Sequence, residues 1–251
     1  MLLEGKAVIV TGASRGIGRA IAIGCAREGA DVVVNFRSGP GGEVVEEIRA
    51  LGRRAVPAEG DVADPGTGKK MVEAAVRAFG KVDVLVNNAG ICPFHAFIDM
   101  PADVMRRTTE VNYYGTFYAT QAAAVRMVEQ GKGGSIVAIS SISALVGGGM
   151  QSHYTPTKAA MHSLMQSCAI SLGPHGIRCN SVFVGTVRTD INKEDLSDPG
   201  KVAYFNKRIP LGRLGEPEDM VGPVVFLASD MARYVTGAGF LADGGLFVNL
   251  Q

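Results

Sequence analysis

Short apolar runs alternate with longer amphipathic stretches along almost the whole chain. The first half contains "KAVIVTG" before "GIGRAIAIGCAREGA", "DVVVNF" before "GEVVEEIRALG", "RAVPAEGDV" before "GTGKKMVEAAVRAFG", and "VDVLVNNAG" before a long helical region. The second half continues with "GSIVAISS", a helix from about His153 to Leu172, "GIRCNSVFVG", "EDMVGPVVFLASD" and "GAGFLADGG". Short apolar runs are typical of buried strands, and amphipathic stretches are typical of helices.

This alternation predicts the fold class. Strands that are each followed by a helix pair in parallel through right-handed crossovers. We therefore expect an α/β fold, with a single doubly wound Rossmann-type parallel sheet of about seven strands and helices on both faces. In such sheets, ligands bind beyond the carboxyl ends of the strands.

One segment, residues 186–219, departs from the alternation because it is polar, is broken by Pro and Gly, and contains no predicted strand. Long excursions of this kind are either functional loops or mobile surface insertions. The segment leaves the sheet where ligands bind, so we expect it to be a substrate lid. Nothing in the composition divides the chain, so we expect one domain over residues 1–251.

The composition indicates which partners the protein has. Hydrophobic residues make up 47% of the 251 residues and there are 33 glycines, which suits buried parallel strands joined by tight turns. The net charge is +1, without a long run of like charges, which argues against nucleic acid or a membrane surface as a partner. We expect a small-molecule partner.

The four cysteines show no paired spacing, which predicts reduced thiols and a reducing compartment. No apolar window is long enough for a membrane span, and the start of the chain lacks the pattern of a signal peptide. We therefore expect a cytoplasmic protein. The four histidines show no ligand spacing with the cysteines, so no metal site is predicted.

A glycine-rich turn follows the first predicted strand, in "VIVTGASRGIGRAI". Gly12 suits a sharp turn, Gly16 a close approach of backbone amides to a pyrophosphate, and Gly18 close packing of the helix on the sheet. The spacing differs from the commoner G-x-G-x-x-G pattern, and many α/β proteins need such turns only to fold. The turn alone leaves both interpretations open.

The end of the second strand indicates which dinucleotide would bind. Sites specific for NAD usually have a carboxylate there for the ribose 2′-hydroxyl, but "VVVNFRS" has Asn35, Arg37 and Ser38. Arg37 together with Arg15 can pair with a 2′-phosphate, so we expect NADP to be preferred, with NAD also accepted. The alternative is that both arginines are simply solvated.

Tyr154 and Lys158 are one helical turn apart and therefore share a face. An adjacent ammonium favours the phenolate and lowers the pKa of a tyrosine from its ordinary value near 10, which makes it usable as a general acid and base. The hydroxyl of Ser141 can hold a substrate oxygen against it. Taken alone, most such Tyr–Lys pairs are solvated surface pairs.

These features occur together with others in an order that resembles the short-chain dehydrogenase/reductase family. The matching segments are "TGASRGIG", "GDV" at 60–62, "NNAG" at 87–90, "VN" at 111–112, Ser141, Tyr154, Lys158 and the closing "YVTGAGFLADGG". The resemblance covers essentially the whole chain. It implies one dinucleotide-binding catalytic domain that transfers hydride between a nicotinamide and a CH–OH carbon.

The resemblance also implies the roles of individual residues. Asn112, Ser141, Tyr154 and Lys158 would form a catalytic tetrad. Ser141 would orient the reacting oxygen, Tyr154 would exchange its proton, Lys158 would lower the tyrosine pKa and hold the nicotinamide ribose, and Asn112 would fix a water in a proton relay. The cofactor would contact Gly12, Ser14, Arg15, Gly16, Ile17, Gly18, Asn35, Arg37, Ser38, Asp61, Val62, Asn88, Ala89, Gly90, Tyr154, Lys158, Gly185, Thr186, Val187 and Thr189.

One position departs from the family pattern, which usually has Pro-Gly after the sixth strand. Here Val184 precedes Gly185. Without that proline the backbone before the lid is less restricted, so we expect a softer nicotinamide pocket with the chemistry retained.

Within the family, the segments around the tetrad and the lid resemble sugar 1-dehydrogenases, in particular those acting on L-rhamnose. Such an enzyme oxidises the anomeric hydroxyl of an aldose to the lactone. The residues expected to bind substrate are Phe94, Ser141, Ser143, Gln151, His153, Tyr154 and Asn192. Neutral hydrogen-bonding groups suit a polyol, and Phe94 offers an apolar wall for a 6-deoxy methyl group. Each residue taken singly is more often ordinary structure, and His153 could serve only to cap the helix.

Two other functions share the cofactor motifs. A 3-oxoacyl carrier-protein reductase would need a basic docking surface, for which Arg106 and Arg107 are candidates unless they form a solvated face. A regulator that senses NADP without turnover would not need the complete tetrad, which counts against that interpretation.

The family resemblance also implies a homotetramer. An apolar stripe on the helix that carries Tyr154 could pack on a symmetry mate, with a core-facing stripe as the alternative. The stripe consists of Ala159, Ala160, Leu164, Met165 and Cys168.

Overall fold

The computed structural model of the protein describes residues 1–249 and has a parallel sheet of seven strands at its centre. The strands are β1 (Ala7–Val10), β2 (Asp31–Phe36), β3 (Ala55–Glu59), β4 (Val84–Asn87), β5 (Gly134–Ser141), β6 (Ile177–Val184) and β7 (Gly239–Ala242). Their order across the sheet is β3-β2-β1-β4-β5-β6-β7, and every neighbouring pair is parallel. The predicted doubly wound fold is confirmed.

Helices connect the strands and cover both faces of the sheet. They are α1 (Gly16–Arg27), α2 (Gly41–Ala50), α3 (Pro65–Phe79), α4 (Ala102–Thr109), α5 (Gly115–Gln130), α6 (Thr155–Leu172), α7 (Pro199–Arg208) and α8 (Val221–Ala228). A π-helical turn over Glu110–Tyr114 joins α4 to α5. The alternation of strand and helix therefore follows the sequence pattern closely.

Two apolar clusters lie on opposite sides of the sheet, because successive strand side chains point to opposite faces. Val8 and Val10 of β1 pack in the cluster beneath α1, α2 and α8. Ile9 packs in the other cluster, beneath α3, α5 and α6. Since both faces are covered, the strands read as continuous apolar runs.

The segment 186–219 contains helix α7 and short 3₁₀ turns, and Val187 and Gly215 form an isolated parallel bridge within it. Helix α7 has no buried residue. Ile209, Leu214 and Leu246 form a small cluster separate from the two sheet clusters, with Phe205 packed against it. The segment is thus attached to the sheet domain by this small cluster and by Val187, which packs in the cluster beneath α1, α2 and α8.

The prediction that the apolar stripe of α6 faces a symmetry mate is wrong for Met165. Met165 is fully buried beneath the sheet, and Leu164 and Cys168 pack on the same cluster. The core-facing alternative is right for Met165, while Leu164 and Cys168 are half-buried, and a symmetry mate on their exposed parts stays a prediction. Ile170, on the same helix, is 81% exposed.

Within residues 1–249, no helix is long and apolar enough to cross a membrane. The four cysteines are free thiols, three of them buried and Cys168 half-buried. The same residues contain no group of three or more His, Cys, Asp or Glu side chains arranged to hold a metal ion.

Candidate active site

A cavity of about 860 Å³ lies at the carboxyl ends of the strands. It extends from Arg37 and Asp61 at one end, past Tyr154 and Lys158, to Phe205 in the segment 186–219. Every residue predicted to contact cofactor or substrate lines this cavity except His153. Of the predicted tetrad, only Asn112 does not line it.

The turn after β1 is packed so closely that its glycines cannot be replaced without rearrangement. Gly12 has a φ of 61°, and a Cβ there would lie 2.9 Å from the Cα of Ala89. The side chain of Asn88 donates to the carbonyls of Thr11 (3.0 Å) and Gly12 (3.1 Å), and a Cβ on Gly18 would collide with both Asn88 and Gly12. This packing brings the turn against the end of β4.

Helix α1 begins directly in this turn, and its N-cap residue Arg15 makes no side-chain capping hydrogen bond. The first residues of the helix, Gly16 to Gly18, line the cavity, so the positive end of the helix dipole lies at it. A pyrophosphate fits such a position. This is the first observation that fits a dinucleotide.

The end of β2 carries no carboxylate, as the sequence indicated. Arg37 and Ser38 line the cavity, and the hydroxyl of Ser14 donates to the carbonyl of Ser38 at 3.5 Å. The buried Asn35 fixes this wall, since its Oδ1 accepts from the Gly12 N–H (3.2 Å) and its Nδ2 donates to the Ala58 carbonyl (2.9 Å). The groups available here suit a ribose that carries a 2′-phosphate.

Asp61 follows β3 and lines the cavity beside this wall. Its Oδ1 accepts from the Ala63 N–H at 3.0 Å, and its Oδ2 accepts from Nη2 of Arg107. Burial alone would raise the pKa of Asp61, but the Ala63 amide, Arg107 and Arg37 together hold it below its ordinary value. The carboxylate is therefore ionised and paired.

Tyr154 and Lys158 come together at the start of α6. The Lys158 Nζ lies 5.6 Å from the centre of the Tyr154 ring and donates to the Ile139 carbonyl at 2.8 Å. Ser141 ends β5, and its Oγ accepts from the Ser143 N–H at 3.1 Å. The last residue of β5 and the start of α6 thus bring the three side chains to one point of the cavity.

Burial dominates the electrostatics of this group. Burial raises the pKa of Tyr154 well above its ordinary value, the Cys92 thiol acts in the same direction, and the hydrogen bond with Ser141 opposes them. Burial lowers the pKa of Lys158 to about 8. The expected lowering of the tyrosine pKa by Lys158 is therefore not found in this structure, because the loss of hydration disfavours both charged forms.

Asn112 is fully buried in the π-helical turn and meets Lys158 from behind the cavity wall. Its Oδ1 accepts from the Ile91 N–H at 2.9 Å, and its Nδ2 donates to Thr157 Oγ1 at 3.1 Å. A Cβ on Gly90 would lie 3.3 Å from Asn112 Oδ1 and 3.6 Å from Lys158 Nζ. The side chain is thus held rigidly beside the lysine, and a water relay there stays a prediction.

Neutral polar groups line the cavity next to Tyr154. The Ser143 hydroxyl donates to Gln151 Oε1, and Gln151 Nε2 donates to the Cys92 thiol, both at 3.5 Å. Asn192 accepts from the Thr189 N–H at 3.0 Å and donates to the Val187 carbonyl at 2.9 Å, which shapes the first turn of the lid. This wall is oriented by hydrogen bonds within the protein.

Two predicted substrate residues differ in position. Phe94 lines the cavity and is 41% exposed. His153 is buried, lies 6.5 Å from the His95 ring, and is turned away from the cavity. Burial lowers the pKa of His153, and neither ring nitrogen has a hydrogen-bond partner within the described residues.

Comparison with known proteins identifies the family. A family model described as enoyl-(acyl carrier protein) reductase matches residues 12–247. A solved short-chain type dehydrogenase/reductase from Mycobacterium marinum superimposes with a TM-score of 0.92 at 38% identity, over 97% of this chain and 96% of that one. The chain belongs to the short-chain dehydrogenase/reductase family.

Full-length relatives agree with this assignment. The chain is 66% identical to an L-rhamnose 1-dehydrogenase (NAD(P)(+)) of Sphingomonas sp., over 100% of this chain and 99% of the relative. It is 63% identical to a protein of the same name from Azotobacter vinelandii, over 100% of both. A gluconate 5-dehydrogenase from Burkholderia cenocepacia, in complex with NADP and tartrate, superimposes with a TM-score of 0.93 at 30% identity, over 98% and 96% of the two chains.

As a short-chain dehydrogenase/reductase, the protein is an NAD(P)-dependent oxidoreductase acting on CH–OH groups. The lining of the cavity suits a dinucleotide: Arg37 lies at the end expected to take the adenosine, the start of α1 lies in the middle, and Tyr154 with Lys158 lie at the end expected to take the nicotinamide. Gly185 closes the pocket tightly, since a Cβ there would lie 2.7 Å from that of Asp243. Val184 is buried beside it, and the expected softening at this position stays a prediction.

Sequence reasoning missed several residues that line the cavity of this enzyme. Arg107 was considered only as a docking group, and Cys92 only as one of four reduced thiols. No periodicity marked the lid residues, because α7 has no core-facing stripe. The additional lining residues include Cys92, Arg107, Asp190, Asp195, Phe205, Arg208, Leu246 and Phe247.

Proposed function

We propose that the protein oxidises L-rhamnose, or a closely similar aldose, at the anomeric carbon and transfers the hydride to NADP in preference to NAD. The product is the lactone. The observation that carries this proposal is the pair of full-length relatives at 66% and 63% identity, both named L-rhamnose 1-dehydrogenase (NAD(P)(+)). A relative from Thermoplasma acidophilum, 48% identical, is named L-rhamnose 1-dehydrogenase (NADP(+)), which supports the preference for NADP.

The reaction needs a base for the anomeric hydroxyl and a hydride acceptor. NADP, when bound, supplies the acceptor. The Ser141 hydroxyl and the Tyr154 phenol hold the anomeric oxygen, and Tyr154 accepts its proton as the C1–H bond breaks. Tyr154 reacts as a phenolate, a form that burial disfavours in this structure, and the Lys158 ammonium, 5.6 Å from the ring centre, offsets its negative charge. The proton then leaves to solvent, and we propose that Asn112 holds a water on this route.

The sugar ring would lie against the neutral wall beside Tyr154. Ser143, Gln151 and Asn192 offer hydroxyl and amide groups to a polyol, and Phe94 offers an apolar surface to the methyl group of a 6-deoxy sugar. His153 would act indirectly, by holding the turn that carries Gln151.

Steady-state formation of reduced nicotinamide from L-rhamnose tests the proposal, with NADP and NAD measured in parallel. We expect turnover with both and a higher kcat/KM with NADP. Tyr154→Phe should abolish turnover and leave the Kd for NADP nearly unchanged, since it removes only the proton acceptor. Absence of turnover with L-rhamnose, together with reduction of an acetoacetyl substrate, would refute the sugar assignment.

A 3-oxoacyl carrier-protein reductase is a second candidate; the matching family model is described as an enoyl-(acyl carrier protein) reductase, which shares the acyl carrier protein but not the 3-oxo group. The structure weakens the case for a basic docking surface, because Arg107 is paired with Asp61 at the cavity. Arg106 is then the only exposed arginine on that helix. The complete tetrad disfavours a regulator that binds NADP without turnover.

We also propose that residues 1–251 act as one catalytic domain with residues 186–219 as a substrate lid. The position of Phe205 and Arg208 of α7 on the cavity supports the lid. The free thiols support a reducing compartment, which we propose to be the cytoplasm. A homotetramer is supported by exposed apolar side chains on α5 and β7, discussed below.

A further inference from the structure

Three charged side chains share the adenosine end of the cavity: Arg37 after β2, Asp61 after β3, and Arg107 on α4. Both oxygens of Asp61 accept hydrogen bonds, one from the Ala63 N–H and the other from Arg107. The Asp61 and Arg107 side chains are 30% and 36% exposed, so the pair is only partly screened by water.

Arg37 is in a different situation. Among the described residues, no carboxylate lies within ion-pair distance of its guanidinium. It nevertheless contributes to the electrostatic environment of Asp61. Arg37 is therefore near the carboxylate but not bound to it, and its donors remain available to a ligand.

The pairing of Asp61 with Arg107 determines whether this end of the cavity can hold a 2′-phosphate. A 2′-phosphate carries close to two negative charges, and an unpaired carboxylate at the same end of the cavity would repel it. The same carboxylate would also attract Arg37 away from the phosphate. The hydrogen bond from Arg107 neutralises Asp61 and so prevents both effects.

We infer that Arg107 is a specificity-determining residue that sets the preference for NADP over NAD by neutralising Asp61 and leaving Arg37 for the 2′-phosphate. This inference rests on the proposed NADP preference and not on the identity of the sugar. Glu110 Oε2 lies 3.8 Å from Arg107 Nη1, beyond hydrogen-bond distance, and does not line the cavity, so Asp61 is the hydrogen-bonded partner of Arg107 at this end.

The test is calorimetric titration of the full-length protein with NADP and with NAD, because the chain has no tryptophan to report binding. Arg107→Met should raise the Kd for NADP by about tenfold or more and change the Kd for NAD by less than about threefold. Arg107→Lys should retain most of the preference, since it keeps the charge. The loss of preference should be smaller at high salt, because screening weakens the repulsion.

Arg106→Met is the matched control, because Arg106 is an exposed neighbour on the same helix and does not line the cavity. It should leave both Kd values unchanged. Thermal unfolding of each variant separates a binding effect from loss of the fold.

The double variant Arg107→Met with Asp61→Asn distinguishes neutralisation from direct contact. Removing the carboxylate should restore the ratio of the two Kd values towards that of the wild type, even where both affinities fall. If the ratio is not restored, Arg107 touches the phosphate itself and the inference is wrong. It is also wrong if Arg107→Met weakens NADP and NAD equally. A wild type that does not prefer NADP would instead refute the proposed preference.

Discussion

At the scale of single residues, the buried charge of Lys158 lowers the stability of the folded protein. The residue is 5% exposed and its ammonium donates to one carbonyl, so burial lowers its pKa to about 8 from its ordinary value of 10.5. A lysine whose pKa is lower in the folded state destabilises the fold while it is protonated. The penalty is full below about pH 8 and fades as the pH rises to the pKa of the lysine in the unfolded chain.

The contribution of Tyr154 to stability depends on pH in the opposite direction. Its raised pKa stabilises the fold below about pH 10, and this contribution is lost above it.

We therefore predict that Lys158→Met is inactive but more stable than the wild type near neutral pH. The free energy of unfolding at pH 7 should rise by about 1–3 kcal/mol, since a buried charge is removed and one hydrogen bond to Ile139 is lost. The difference should shrink between pH 8 and 10. Urea denaturation followed by circular dichroism over this range measures it, and a variant less stable than the wild type at every pH would contradict the electrostatic explanation.

At the scale of elements, two adjacent glycines at the start of α2 have opposite surroundings. A Cβ on Gly41 would collide with the ring of Phe36, whereas a Cβ on Gly42 would meet nothing within 4 Å. We predict that Gly42→Ala raises the free energy of unfolding by about 0.5 kcal/mol, because alanine loses less backbone freedom on folding. Gly41→Ala should lower it by more than about 1 kcal/mol. Thermal unfolding of the two variants serves as a matched comparison, and equal effects would mean that the surroundings of the two positions do not differ.

The elements also show what the sequence can and cannot predict. Strands and their helices were predictable because burial of both sheet faces leaves continuous apolar runs such as "KAVIVTG". Helix α7 was not predictable, since Pro199 and Gly200 open it and none of its residues is buried. Periodicity revealed the stripe containing Met165 but not which neighbour covers it. Arg107 reaches Asp61 across 46 residues of sequence, and nothing distinguishes it from Arg106 until the fold brings the two ends together.

At the scale of the whole molecule, two apolar surfaces lie on different parts of the subunit. Helix α5 and the residue before it expose Tyr114, Phe117 and Val125, by 44%, 39% and 56%. The edge strand β7 exposes Phe240 and Leu241, by 40% and 38%, and has only β6 as a neighbour. Exposed strand edges and apolar helix faces favour association. If each surface pairs with its own copy across a two-fold axis, the two together give a tetramer with dihedral symmetry.

We therefore predict that each surface can be disrupted separately. The wild type should have four times the 26.2 kDa mass of the chain by light scattering coupled to size exclusion. Val125→Glu and Phe240→Glu should each give dimers. A two-fold interface contains the substituted residue of both subunits, so each substitution buries two unpaired carboxylates and disrupts that interface. The two substitutions together should give monomers. Lys70→Glu, at an exposed position of α3, is the control and should remain tetrameric. A monomeric wild type would refute the assembly, and a tetramer that survives both substitutions would place its interfaces on other surfaces.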